Sequence, residues 1–130
     1  AIRRIGSHVT IVALGIMVPL TLRAASQLAQ RSVQAEVIDL RTVAPLDRVA
    51  VLASVHKTGR LVVADPGWRS VGVAAELIAL VCENLGRELK ANPARVCLPD
   101  SHTPASPLLE AEYYPDDAAI VAAVEATMRE

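Results

Sequence analysis

The sequence predicts an α/β fold in which a parallel sheet is covered by helices on both faces. Short runs rich in Val, Ile and Leu alternate with amphipathic segments of helical period along the whole chain, and this alternation is typical of βαβ units. The 130 residues are 52% apolar, with no Phe, so small aliphatic side chains can fill a packed core. Because no internal repeat, low-complexity tract or linker interrupts the pattern, we expect one domain spanning residues 1–130.

The first half of the chain predicts two buried strands, each followed by a helix. The strands are the β-branched run over residues 9–14 and the run over residues 35–40. Pro19 suits the first turn of the helix between them, where a missing N–H is harmless. Asp47 suits the N-cap of the next helix, because its carboxylate can accept from unpaired N–H groups, and Gly59 suits the end of that helix.

The second half continues the same alternation. Strands are predicted over residues 60–65 and 95–98. A turn over residues 67–72, with Ser70 as the candidate cap, leads into a helix that ends near Leu85. This helix is apolar nearly all round, so we expect it to be covered on more than one side.

Three further segments complete the prediction. Residues 2–4 are polar enough for an edge strand. Residues 99–107 contain three prolines and are expected to form a loop. Pro115 and Asp116 then open a last helix.

The composition argues against several classes of partner and location. A net charge of −1 gives no broad attraction to nucleic acid or to an anionic membrane, and one Trp and two Tyr are too few for a base-stacking platform. No run reaches the roughly 18 apolar residues of a membrane span, and the first residues lack the apolar core of a signal peptide. We therefore expect a cytoplasmic protein. Because the chain has no initiator Met, we expect it to be a fragment of a longer polypeptide or a processed product.

The sequence offers no recognisable catalytic or metal-binding constellation. Cys82 and Cys97 lie in apolar contexts without the spacing of a metal site or redox pair, so we expect buried free thiols. The three histidines have no nucleophile, acid or second histidine at a recognisable spacing, and the glycine-rich phosphate motifs are absent. We therefore assign no catalytic, cofactor-binding or metal-binding residue.

Apolar side chains stand in the loops that follow the predicted strands, at the edge where α/β sheets bind ligands. Ile16, Met17 and Val18 either form the core of an interface or tuck back over the sheet. Trp68 and Arg69 form an aromatic–arginine pair of the kind enriched at interface hot spots, unless the Trp covers a sheet edge. Both alternatives stay open for each group.

Charged side chains accompany them. Asp39 and Arg41 are two residues apart on a strand, so both can face the same side and pair with each other, with Asp47 or across a subunit boundary. We favour a structural or interfacial role over a catalytic one. Glu76, the lone acid of an apolar helix, either complements the helix dipole or pairs with a partner.

The segment over residues 65–72, DPGWRSVG, suggests a different class of function. Asp65 ends a strand there, and Ser70 with the following helix N-terminus can hold an anion. This alternative makes the chain a free-standing small-molecule or anion-binding module.

Several segments, in this order and at these intervals, resemble the C-terminal domain of the transketolase superfamily. They are VTIVALGIMV, AEVIDLRTVAPLD, SVHKTGRLVVAD, GVAAELIALV and TPASPLLEAEYYP. More closely, the chain is similar to the beta subunit of the decarboxylating component of 2-oxo acid dehydrogenases, which include the pyruvate, branched-chain 2-oxo acid and acetoin dehydrogenases. The most specific part is Asp39-Leu40-Arg41-Thr42 with Pro45-Leu46-Asp47, supported by Ser54 with Lys57-Thr58-Gly59-Arg60 and by Thr103-Pro104 with Leu109-Glu110.

The resemblance implies a three-layer α/β/α fold around a five-stranded mixed sheet of order 1-3-2-4-5 with an antiparallel first strand. It also implies a parent enzyme, an alpha2-beta2 heterotetramer that uses thiamine diphosphate and magnesium. That enzyme decarboxylates a 2-oxo acid and acylates a lipoyl group on an acyltransferase core.

The sequence departs from the whole family enzyme in one large respect. The family holds the metal and the diphosphate in a separate domain with a Gly-Asp-Gly…Asn motif, and activates the pyrimidine ring with a Glu of the preceding domain. Neither feature is present in this sequence. The resemblance therefore implies a role in assembly, with a second beta subunit, the alpha subunit and the acyltransferase core as partners. We also expect the chain alone to self-associate through its apolar loop and helix.

Overall fold

A computed structural model describes residues 1–41, 46–98 and 114–130. Within them, five strands form one sheet and the helices lie on its two faces. The predicted loop over residues 99–107 and the motif residues Thr42, Pro45, Thr103, Pro104, Leu109 and Glu110 lie outside the described residues. In chain order the elements are β1 (Ile2–Arg4), β2 (Val9–Ala13), α1 (Met17–Gln30), β3 (Ala35–Asp39), α2 (Arg48–Thr58), β4 (Leu61–Trp68), α3 (Val73–Leu85), a 3₁₀ turn (Gly86–Glu88), β5 (Ala94–Leu98) and α4 (Asp117–Arg129).

The sheet has the order β1-β3-β2-β4-β5. β1 pairs with β3 antiparallel, and the other neighbours pair parallel, so the expected mixed topology is confirmed. In the centre, Ile11 of β2 is in register with Val37 of β3 and with Val62 of β4. Every residue of β2 is buried, as the continuous apolar run predicts for a strand covered on both faces.

Successive residues of the central strands pack alternately in two separate cores, one on each face of the sheet. Ile11 packs in the core that includes Leu28 of α1 and Ile120 of α4. Val12, the next residue, packs in the core that includes Leu77 of α3 and residues of α2. The period-two pattern of the strands therefore builds the three-layer α/β/α arrangement.

The predicted caps of α2 are confirmed. The Ala50 N–H donates to Asp47 Oδ1 at 3.1 Å, and Gly59 ends the helix in the left-handed conformation with φ of 76°. Asp116 caps α4 in the same way, accepting from the Ala119 N–H at 3.0 Å. Local sequence chemistry sets these helix boundaries.

Two expectations are wrong for the chain by itself: that α3 is covered on more than one side, and that the two cysteines are buried. Only one stripe of the helix, with Ala74, Leu77 and Val81, is buried, whereas its other sides face away from the sheet. Cys82 follows the stripe on an outward side and is exposed rather than buried, Cys97 is only half-buried, and neither forms a disulfide bond. The larger apolar residues Val73, Ile78 and Leu85 are partly buried against the same core, and the exposed positions of the helix carry Glu76, Ala79, Cys82, Glu83 and Asn84.

Candidate functional site

The loops after β2, β3 and β4 emerge side by side at the carboxyl edge of the sheet. The Leu40 N–H donates to the Ala13 carbonyl at 2.9 Å, and the Leu14 N–H donates to the Ala64 carbonyl at 3.1 Å. These bonds extend the parallel ladders to the ends of the strands. The candidate residues that follow the three strands therefore share one edge, which we call the carboxyl edge.

The apolar residues after β2 were predicted either to form an interface or to pack over the sheet, and the structure shows both. Met17 and Val18 are buried in the core, where they begin α1. Ile16 is 70% exposed and stands at the carboxyl edge. One residue of the run therefore remains available for a partner.

The Asp39 carboxylate is shared by two arginines. Its Oδ2 lies 3.6 Å from Arg41 Nε and 3.4 Å from Arg3 Nη1, so the predicted pairing with Arg41 is present. The backbone nitrogen of Ala1 donates to the Asp39 carbonyl oxygen at 2.9 Å. Asp47 does not join this cluster, because it caps α2. The contacts of Asp39 with Ala1 and Arg3 join β3 to the first residues and hold the edge strand β1 in place.

Asp65 has a structural role that the sequence prediction assigned to Ser70. Its Oδ1 accepts from the Gly67 N–H at 2.8 Å and its Oδ2 accepts from the Ala74 N–H at 3.1 Å, in the first turn of α3. The prediction of Ser70 as the cap is wrong, because Gly72 occupies the N-cap position of α3 and the buried carboxylate of β4 accepts from the N–H group in its first turn. A carboxylate therefore already occupies the place where the alternative function puts an anion.

The turn between β4 and α3 presents apolar side chains to solvent. β4 extends beyond the predicted end, and Trp68 pairs in register with Leu98 of β5 and is 56% exposed. Val71 is fully exposed and has φ of 59°, a conformation that is unusual for a β-branched residue. A Cβ on Gly72 would lie 2.6 Å from the Trp68 carbonyl oxygen, so only glycine fits this turn.

Glu76 is exposed and is the acidic residue of the first turn of α3. This position agrees with the expected complementarity to the positive end of the helix dipole. Arg69 is also exposed, and its backbone N–H donates to the Leu98 carbonyl at 2.9 Å. Both charged side chains are accessible at or near the carboxyl edge.

Sequence reasoning missed a buried polar cluster at the opposite, amino edge of the sheet. Glu36 of β3 is 2% exposed, forms an ion pair with Lys57 of α2 and accepts from the Gly6 N–H at 3.2 Å. Beside it, the Thr10 hydroxyl lies 2.7 Å from Ser54 Oγ and 2.8 Å from the Thr58 hydroxyl. We call these residues the amino-edge clamp, because they fix α2 to the sheet.

The pKa of Glu36 lies below its ordinary value. Burial by itself raises the pKa, but hydrogen bonds from Lys57, Ser54 and Gly6 and the charge of Lys57 together outweigh that effect. The carboxylate therefore stays ionised inside the protein. The only sequence signal was a single acid within a buried strand, which gave no hint of a partner 21 residues later.

The described residues do not fit a metal site. Within residues 1–41, 46–98 and 114–130, no three His, Cys, Asp or Glu side chains are grouped as ligands. No helix in the same ranges is long and apolar enough to cross a bilayer. The charged residues at the carboxyl edge instead have one another and backbone groups as partners.

Comparison with known proteins extends over nearly the whole chain. The family described as "Transketolase, C-terminal domain" matches residues 1–120. The chain belongs to this family. This match confirms the resemblance to the transketolase C-terminal domain that the sequence segments indicated.

Relatives of this transketolase C-terminal domain are beta subunits. The chain is 44% identical over 126 residues to the beta subunit of acetoin:2,6-dichlorophenolindophenol oxidoreductase from Cupriavidus necator, covering 97% of this chain and 37% of that protein. It is 39% identical over 105 residues to the beta subunit of the pyruvate dehydrogenase E1 component from Bacillus subtilis, covering 81% of this chain and 32% of that protein. The chain thus spans about a third of the length of these relatives.

A solved structure has the same fold. The protein titled "Split gene transketolase, inactive beta4 tetramer" superposes with a TM-score of 0.87 at 27% identity, covering 99% of this chain and 42% of that chain. That title describes an assembly of beta chains without activity.

Proposed function

We propose that this chain is the assembly and partner-docking domain of a beta subunit of a thiamine diphosphate-dependent 2-oxo acid or acetoin dehydrogenase. The parent enzyme decarboxylates a 2-oxo acid, or cleaves acetoin, and acylates lipoyl groups. The observation that carries the proposal is the match over almost the whole chain to beta subunits of acetoin and pyruvate dehydrogenases.

The carboxyl edge supports the assembly role. Ile16, Trp68 and Val71 are exposed there, and apolar residues surrounded by charge are typical of protein interfaces. The partners in this proposal are a second beta subunit, the alpha subunit and the acyltransferase core.

The proposal places the reaction chemistry outside this chain. Thiamine diphosphate and magnesium belong, in this proposal, to other segments of the parent enzyme. A cytoplasmic location is also part of the proposal. Cys82 and Cys97 are compatible with it, because they form no disulfide bond and such compartments keep thiols reduced.

The alternative, a free-standing anion-binding module, has less support. An anion at the N-terminus of α3 would have to displace the Asp65 carboxylate from the Ala74 N–H, and it would meet like charge there. No observation on the described residues favours this alternative.

The test uses the complete beta subunit that contains this chain, purified with its alpha subunit. Ile16→Ser is compared with Ile5→Ser, which replaces an equally exposed isoleucine before β2, at the amino edge. We expect Ile16→Ser to reduce both the heterotetramer in light scattering and the rate of 2-oxo acid or acetoin oxidation. Ile5→Ser should leave both unchanged.

Two results would contradict the proposal. One is substrate turnover by the isolated 130-residue chain. The other is an assembly that responds equally to Ile5→Ser and Ile16→Ser, because the carboxyl edge would then have no special role.

A further inference from the structure

Two arginines lie side by side at the border between β4 and β5. Arg69 follows β4 and Arg95 belongs to β5. Arg95 Nη1 donates to the Arg69 carbonyl at 2.7 Å, and Arg69 Nη2 donates to the Arg95 carbonyl at 3.4 Å. These reciprocal contacts hold both side chains against one strip of surface, which we call the arginine pair.

The arginine pair carries positive charge that no carboxylate of the described residues neutralises. Among the described residues, Arg3, Arg23, Arg31 and Arg41 each have a carboxylate within 4 Å. Neither Arg69 nor Arg95 forms an ion pair with any described residue. Two like charges held close together repel each other, and a carboxylate between them would relieve that repulsion.

Most N–H donors of the pair also have no acceptor among the described residues. A guanidinium group has five N–H donors in a planar fork, and each arginine directs one bond to the other's carbonyl. The remaining donors have the geometry that recognises carboxylates in a bidentate manner. The pair is therefore prepared for an anionic group rather than for an apolar one.

Apolar neighbours indicate that the anionic group belongs to a protein. Trp68 precedes Arg69 and is half-exposed, and Val71 is fully exposed in the same tight turn. A small phosphate would gain nothing from these side chains, and the nearby N-terminus of α3 is already capped by Asp65. An aromatic ring next to arginines is instead the usual composition of an interface hot spot.

We propose that the arginine pair, with Trp68 and Val71, binds a carboxylate-rich segment of a partner protein. The inference rests on the proposed function, because it presupposes a protein partner, and it adds the chemistry by which that partner is recognised. The acidic segment supplies carboxylates to Arg69 and Arg95, and its apolar residues cover Trp68 and Val71.

The chain contains a built-in reporter for this surface, because Trp68 is its one tryptophan. The probe is a capped octapeptide of alternating glutamate and leucine, titrated into the 130-residue chain while tryptophan emission is recorded. We expect a saturable change in emission that weakens as salt rises, since charge pairs at an interface are screened.

Variants of the chain give the matched comparison. Arg69→Gln and Arg95→Gln should each weaken peptide binding about tenfold, which is the size expected for loss of one charge-assisted contact. Arg95→Lys keeps the charge but loses the planar fork, so binding should fall by a smaller factor. Arg87→Gln, at an exposed arginine of the 3₁₀ turn, should leave binding unchanged. Thermal melting verifies that each variant is folded.

Several outcomes would overturn the inference. These are no response to the acidic peptide, an equal response to a lysine–leucine peptide, an equal response to inorganic phosphate, or an equal loss in Arg87→Gln. A failed peptide titration combined with normal heterotetramer formation would reject this inference and leave the proposed function intact. A successful peptide titration without heterotetramer formation would support this inference and reject the proposed function.

Discussion

The two ends of the parallel strands use their charged residues in opposite ways. At the amino edge, the Glu36 carboxylate is buried and is satisfied by Lys57 and by the Gly6 N–H. At the carboxyl edge, Arg41 and Trp68 are more than half exposed. The first edge is complete within the chain, whereas the second presents both charge and apolar surface to solvent.

This difference separates stability from interaction. A buried charge that loses its counter-charge is strongly destabilising, so substitutions in the amino-edge clamp should affect unfolding. Exposed groups contribute little to the stability of a monomer, so substitutions at the carboxyl edge should affect association. We therefore expect the loss of stability on substitution to decrease from the amino-edge clamp, through the helix caps, to the carboxyl edge.

Loss of the Lys57 charge should have the largest effect. Lys57→Met leaves the Glu36 carboxylate buried without its counter-charge, and we expect a loss of about 2 kcal/mol at neutral pH, below the full value for a buried pair because the amine is half-exposed. Lys90→Met is the control, since Lys90 is exposed and contacts no described carboxylate. Urea unfolding of both variants measures the difference, and equal losses would contradict the account.

The pH dependence of the same pair follows from the lowered pKa of Glu36. A carboxyl whose pKa is lower in the folded state than in the unfolded state adds stability above its unfolded pKa. That contribution is lost as pH falls below about 4.5 and through the folded pKa. The stability difference between the wild type and Glu36→Gln should therefore be constant near neutral pH and narrow in acid. A difference that widens in acid would contradict the assigned charge state.

The helix caps should show a smaller, graded effect. Asp65→Ala removes a buried carboxylate with two backbone donors and should lower stability by about 1.5 kcal/mol. Asp47→Ala removes an exposed cap with one donor and should cost about 0.7 kcal/mol. Chemical denaturation at pH 7 ranks the two variants, and the reverse order would show that Asp65 is not the cap of α3.

Substitution at the carboxyl edge should have the smallest effect on unfolding. Val71→Gly removes a fully exposed side chain from a left-handed conformation that glycine adopts freely, so stability should change by less than about 0.5 kcal/mol in either direction. The same substitution should weaken self-association in sedimentation velocity. Unchanged association would show that the turn lies outside the interface.

The sequence predicted the layers of the fold but not the order of the strands. Continuous apolar runs such as residues 9–14 identify buried strands, and glycine and aspartate mark the ends of α2. Nothing local in those runs says that β3 lies between β1 and β2; that order came from the resemblance to a known family. Pairing between distant strands depends on the whole chain, and local pattern does not encode it.

The site was predicted only in part, for a similar physical reason. Asp39 and Arg41 are near neighbours, so their pairing could be read from spacing. The cap of α3 is Asp65, which accepts a hydrogen bond from an N–H group nine residues later. The partner of Glu36 lies on the helix that follows its strand. Contacts that the fold creates between separate elements are invisible to spacing rules.

Quenching of Trp68 fluorescence by acrylamide tests the central claim most directly, namely that the carboxyl edge is a surface for other protein chains. The quenching constant is measured over a range of concentrations of the 130-residue chain, with light scattering on the same samples. The account predicts that particles larger than the monomer form as concentration rises and that Trp68 becomes less accessible as they form. A monomer at all concentrations, or association with unchanged quenching, would contradict it.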